Sequence, residues 1–97
     1  EIPAGVKSIG NSAFLGAQLT AIEIPAGVTS IGDQTFMYCG QLQTVTILAN
    51  QVVSLGEEVF EQSENITSIF VPADLVEDYK ATADWRDYAL KIKAIEN

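Results

Sequence analysis

Apolar residues recur along this chain in columns. Broken into lines of 22 to 24 residues, it reads EIPAGVKSIGNSAFLGAQLTAI (1–22), EIPAGVTSIGDQTFMYCGQLQTV (23–45) and TILANQVVSLGEEVFEQSENITSI (46–69), after which FVPADL opens a fourth line that departs. The columns are Ile2, Ile24, Ile47 and Val71; Val6, Val28 and Val52; Ile9, Ile31 and Leu55; Phe14, Phe36 and Phe60; Leu19, Leu42 and Ile66; and Ile22, Val45 and Ile69. Self-similarity at this period means a stacked solenoid, in which each column becomes a ladder of like side chains. One unit cannot cover both of its faces, so stability becomes a sum of neighbour interfaces.

Within each unit the pieces LTAIEI, LQTVTI and ITSIFV end in the two-residue alternation of a strand. One strand per repeat predicts a short parallel sheet. GVTSIG carries a second β-like pattern between Gly27 and Gly32. After that glycine, Asn11, Asp33 or Glu57 opens a stretch ending in Phe, which reads as a helical turn capped by the acid or amide. Each Phe is expected to plug the inside of its coil.

Residues 73–97 have the features of a lid in the same domain as a solenoid of residues 1–72. Asp74 with Glu77 matches a capping box, Leu75, Val76 and Tyr79 are spaced for a helix, and Asp84 with Asp87 offers a second helix start before Trp85 and Tyr88. Ile92 and Ile95 add apolar cover. EIPAGV at the start is an ordinary interior motif, so the chain reads as a piece of a longer solenoid preceded by further repeats. No basic and apolar leader pattern is present in it.

Composition narrows the function. Thirteen acids against five bases give a charge of −8, which makes nucleic acid and anionic lipid poor partners. Apolar residues make up 47%, too many for a disordered tail, yet no apolar run approaches the roughly 20 residues of a membrane span. There is no histidine and one cysteine, Cys39, so the commonest general base and any internal disulfide are missing. Cys39 reads as a buried small hydrophobe. Glu57, Glu58, Glu61 and Glu64 could suggest calcium, but their spacing suits the solvated face of a turn. No catalytic, metal or cofactor residues are assigned.

The repeat IPAGVTSIGDQTFMYCGQL resembles the BspA-like leucine-rich repeats, also called the Treponema pallidum type, built on IPxxVTSIGxxAFxxCxxLxxI. VPADLVEDYKATADWRDYALKIKAI resembles the segment that closes many bacterial members. The resemblance covers essentially the whole chain. It departs in three places: the family cysteine remains only as Cys39, with Ala17 and Ser63 opposite it; the first repeat is one residue short between Phe14 and Leu19; and ILANQV is one residue longer than IPAGV.

The fold class expected is an α/β repeat solenoid of leucine-rich-repeat type with one short strand per repeat and a helical C-terminal cap. The resemblance implies a cell-surface or secreted bacterial protein whose repeats bind a protein or glycoprotein of the host surface or extracellular matrix; the residues themselves predict no enzymatic activity and no cofactor. Strand periodicity puts Ala21, Glu23, Thr44, Thr46, Ser68 and Phe70 on the outward face of the sheet, flanked by Thr20, Gln43 and Thr67, and these form the candidate partner-binding face. Phe70 is either an exposed anchor or packed under the cap. The alternative function is a passive spacer that displays another domain.

Overall fold

A computed structural model describes residues 2–95. Glu1, where the first repeat begins, and Glu96 and Asn97, where the closing segment ends, lie outside the described residues. Each coil contributes a two-residue strand to one parallel sheet and a four-residue strand to another. The two-residue strands β1 (Ser8–Ile9), β3 (Ser30–Ile31) and β5 (Ser54–Leu55) stack in the order β1-β3-β5. The longer strands β2 (Ala21–Ile24), β4 (Thr44–Ile47) and β6 (Ser68–Val71) are joined by β7 (Ile92–Ala94) in the order β2-β4-β6-β7.

Registers follow the repeat. Ile22 lies opposite Val45 and Val45 opposite Ile69, while Ile24 lies opposite Ile47. These inward residues are buried, several at zero exposure. The extra residue of ILANQV is absorbed between β4 and β5, for Ser30 and Ile31 still face Ser54 and Leu55. In that coil Val53 is fully buried and Val52 only half-buried, so Val53, not the expected Val52, takes the core position.

The third side of each coil carries the phenylalanines. Phe14 and Phe36 stack with ring centroids 5.4 Å apart, and Phe36 and Phe60 at 5.7 Å, both pairs within 7° of parallel. Tyr88 closes the ladder edge-on against Phe60 at 5.3 Å. Phe36, with a ring on each side, is fully buried.

The stretch leading to each Phe is not the expected helical turn. It is a run of β-turns in which alternate N–H groups turn back within the coil (Leu15 to Ser12, Ala17 to Phe14) and the others point at the next coil: Ser12 to Asp33, Phe14 to Thr35 and Gly16 to Met37 at 2.8–3.0 Å, repeated by Gln34 to Glu57, Phe36 to Val59 and Tyr38 to Glu61 at 2.9 Å. A helix would keep all of these bonds to itself. The pattern places Ser12, Gln34 and Glu58, and then Gly16, Tyr38 and Gln62, at φ between 58° and 71°.

The acid or amide after the glycine is correspondingly not a helix cap. Asn11 Oδ1 accepts from Asp33 N–H, and Asp33 Oδ1 accepts from Glu57 N–H, both at 2.8 Å. One coil's side chain thus binds the same position of the next. The close approach explains the glycines: a Cβ at Gly32 would lie 2.7 Å from the Asn11 nitrogen, and one at Gly56 2.6 Å from the Asp33 nitrogen.

Pro72, whose fixed φ suits a first helical turn, leads into the closing segment: a 3-10 turn over Ala73–Leu75, the helix α1 (Val76–Ala81), a second 3-10 stretch over Arg86–Lys91, and β7. The capping box of Asp74 and Glu77 does not form, because a 3-10 turn precedes α1 and Leu75, which has no cap side chain, takes the N-cap position. Nor does Asp84 cap the second helical stretch, whose N-cap is Trp85.

These residues cover the last coil instead. Asp84 Oδ2 accepts the Leu55 N–H at 3.0 Å, the Tyr79 hydroxyl accepts the Val53 N–H at 3.1 Å and donates to the Gln51 carbonyl at 3.2 Å, and the Trp85 indole donates to the Val53 carbonyl at 2.7 Å. Val53 is buried for this reason. One exposed sheet edge is therefore closed by side chains and the other by the strand β7.

A candidate partner-binding face

On the outward side of the longer sheet, parallel registers align two rows. The first is Ala21, Thr44 and Ser68; the second is Glu23, Thr46 and Phe70, continued by Lys93 of β7. The strand twist and the saturated backbone ladder hold these side chains at strand spacing, about 4.8 Å per step. Flanking Thr20 and Gln43 belong to the same ladder, since the Gln43 N–H donates to the Thr20 carbonyl at 2.8 Å and the Thr67 N–H to the Gln43 carbonyl at 2.9 Å.

The six candidate residues fare differently. Ala21 and Glu23 are exposed, Thr44 and Thr46 half-exposed. Ser68 is only 9% exposed because the Lys93 ammonium donates to its Oγ at 2.9 Å and covers it. It is not open to a partner. Phe70 is half-buried between Thr46 and Lys93, neither free nor under the cap.

Lys93 escaped the sequence reading, although the alternation of Lys91, Ile92, Lys93 and Ala94 has the two-residue period of a half-buried strand. With it the second row runs from an acid through a hydroxyl and an aromatic ring to a base. Beside its acidic end lies an open hollow of about 760 Å³ whose wall includes Ala21, Glu23, Thr46 and Leu48. Leu48 is 39% exposed there.

Cys39 is fully buried, its Sγ 3.2 Å from the Phe14 carbonyl, and burial raises its thiol pKa above 9.0 against the smaller opposing pull of backbone bonds at Ala17 and Gly16. Ser63 repeats the role one coil on, bonding the Phe36 carbonyl and accepting the Cys39 N–H at 2.8 Å. Burial also raises the Tyr79 and Tyr88 hydroxyls, with the Asp87 and Glu61 charges adding to the effect at Tyr88. Among the described residues no three His, Cys, Asp or Glu side chains come together as a metal site, and no helix is long and apolar enough to cross a membrane.

The family model of the BspA type leucine rich repeat region, which spans six copies, matches residues 1–82. The chain belongs to the BspA-type leucine-rich-repeat family. No curated protein matches it. BspA-type repeats typically form surface or protein-interaction modules without catalytic activity.

Proposed function

We propose that this chain is an extracellular protein-binding or adhesion module of a bacterial surface or secreted protein, and that it binds through the outward face of the longer sheet. Residues 1–72 supply the repeats and 73–97 the cap of one domain. The observation that carries the reading is the register-locked row Glu23, Thr46, Phe70 and Lys93. An aromatic ring flanked by a base, with an acid two strands away, gives a partner protein one apolar anchor and two charges that fix its orientation. Host matrix or cell-surface proteins and glycoproteins are the proposed partners.

Two matched variants test it against a panel of purified extracellular matrix proteins. Replacing Glu23, Thr46 and Phe70 by alanine should abolish most binding while circular dichroism stays unchanged. Replacing Glu57, Glu61 and Glu64 by glutamine should leave it nearly intact, since exposed charges are screened beyond about 10 Å at 0.1 M salt. The reverse result would move the site to the turn face. A parent that binds nothing on the panel would favour the passive spacer, which the small Ala21, Thr44 and Thr20 of the same face also suit.

A further inference from the structure

A second groove, of about 490 Å³, opens where the turn stretches of the first two coils run toward β2 and β4. Its origin is visible in the sequence. Phe14 and Leu19 are five positions apart, whereas Phe36 and Leu42 are six, so the first coil cuts the corner that the second goes around. Two glycines border the space, and a Cβ at Gly16 or at Gly40 would meet nothing within 4 Å. The groove volume falls within the range of about 300–1,000 Å³ usual for small-molecule sites.

Tyr38 forms one wall. The residue is 58% exposed, yet its backbone is fixed: the N–H donates to the Glu61 carbonyl at 2.9 Å. Its φ of 59° occupies the left-handed region, where the first coil has Gly16 at 71°. The Asn65 amide ties down the Gly40 carbonyl opposite at 2.6 Å. The frame is therefore ordered before anything binds.

The remaining lining decides the ligand class. Gln18, Thr20 and Gln41, all exposed, line the groove, and no hydrogen bond among the described residues engages their side chains. Among the described residues no charged one lines it, in a chain whose net charge is −8. An ionic ligand would find no counter-charge there, and a wholly apolar one would take the water from two amides and a hydroxyl without returning a bond. What matches is a neutral ring with hydroxyls around its rim and a flat C–H face to lie against tyrosine.

We propose that the groove between Gly16, Gln18, Thr20, Tyr38, Gly40 and Gln41 is a binding site for a neutral saccharide unit. Tyr38 supplies the platform, and the Gln18 and Gln41 amides with the Thr20 hydroxyl bond the sugar hydroxyls. The site shares Thr20 with the margin of the sheet face and contains none of Glu23, Phe70 and Lys93. It does not depend on protein binding through the sheet.

Amide chemical-shift titration of the intact chain with glucose, galactose, mannose and N-acetylglucosamine, each at millimolar concentration, tests it. At least one sugar should give saturable shifts confined to residues around Gly16 to Thr20 and Tyr38 to Gln41. Tyr38→Ala, at an exposed side chain, should abolish them with the spectrum otherwise unchanged, and Gln41→Ala should weaken binding about tenfold. The variant lacking Glu23, Thr46 and Phe70 should bind the sugar as the parent does, so loss of protein binding leaves this result standing. No saturable shift with any of the four sugars, or shifts that survive Tyr38→Ala, would overturn the proposal. So would a groove that takes a short neutral peptide in preference to every sugar.

Discussion

The indole N–H of Trp85 donates to the carbonyl of Val53 at 2.7 Å, across 32 residues of chain, at the edge where the two-residue strands end. An unpaired strand edge is an invitation to another chain. Here Trp85, Tyr79 and Asp84 bond that edge one group at a time.

Trp85→Phe keeps an aromatic ring in place but leaves the Val53 carbonyl without its donor. Tyr79→Phe does the same to the Val53 N–H. Each should cost about 1–3 kcal/mol, the usual penalty for orphaning a buried polar group, read as a lower midpoint in urea with an unchanged slope. A shift below a few tenths of a kcal/mol would mean that water replaces these bonds and that the cap acts through apolar cover alone.

Phe36→Ala should lose about 3–5 kcal/mol, a large share of the roughly 5–15 kcal/mol that holds a domain of this size. Phe36 is fully buried with parallel rings on both sides. Phe14, stacked on one side and half-buried, should tolerate the same change better. Equal losses in denaturant melts would show that the ladder has no interior.

Gly32→Ala and Gly40→Ala make a matched pair. The first drives a methyl against the backbone of Asn11 and Gly10, with 2.7 Å to the Asn11 nitrogen, and the second points into open space. Overpacking of this kind costs about 1–3 kcal/mol or more where backbone must move. Thermal melts should separate the two clearly; similar melting temperatures would contradict the close approach of the coils.

Alkaline pH should loosen the fold. Cys39, Tyr79 and Tyr88 each hold their proton more firmly when folded, because burial penalises the anion. The unfolded chain releases these protons at the ordinary values of 9.0 for the thiol and 10.0 for the hydroxyls, so above them it binds fewer protons than the native state and stability falls. Their contribution is complete below 9.0 and is lost as pH climbs through the folded values. Melting temperature against pH should bend downward from there, less steeply in a Tyr79→Phe, Cys39→Ser variant. A curve of the same slope in that variant would assign the loss to other groups.

Much of the architecture is legible in a single line of sequence because its determinants recur. Ile22, Val45 and Ile69 announce their ladder by spacing, and the three phenylalanines theirs. What stayed hidden depends on partners one or more coils away. Asp33 after Gly32 has the look of a helix cap, and nothing within its own repeat reveals that the N–H it serves belongs to Glu57. Ser68 alternates like an outward residue, but Lys93, 25 residues on, covers it. Asp84 resembles a helix start until the bare edge of β5 claims its carboxylate. On the candidate face, Glu23, Thr46 and Phe70 follow from strand alternation alone, while Lys93 requires the closing segment to be recognised as a strand.

The joint between the first and second coils and that between the second and third use the same parts: an Asn or Asp oxygen on the N–H of the matching residue in the next coil, three forward bonds from the turn stretch, and a glycine where the two meet. Such joints act as a standard coupling. A tandem copy of residues 23–45 placed after Val45 would offer Asp33 to an identical successor and Gly32 to an identical predecessor, so lengthening the stack by a gene duplication requires no compensating change elsewhere. Every added coil would widen the outward sheet by one strand, making the size of the presented surface a quantity that recombination alone can tune.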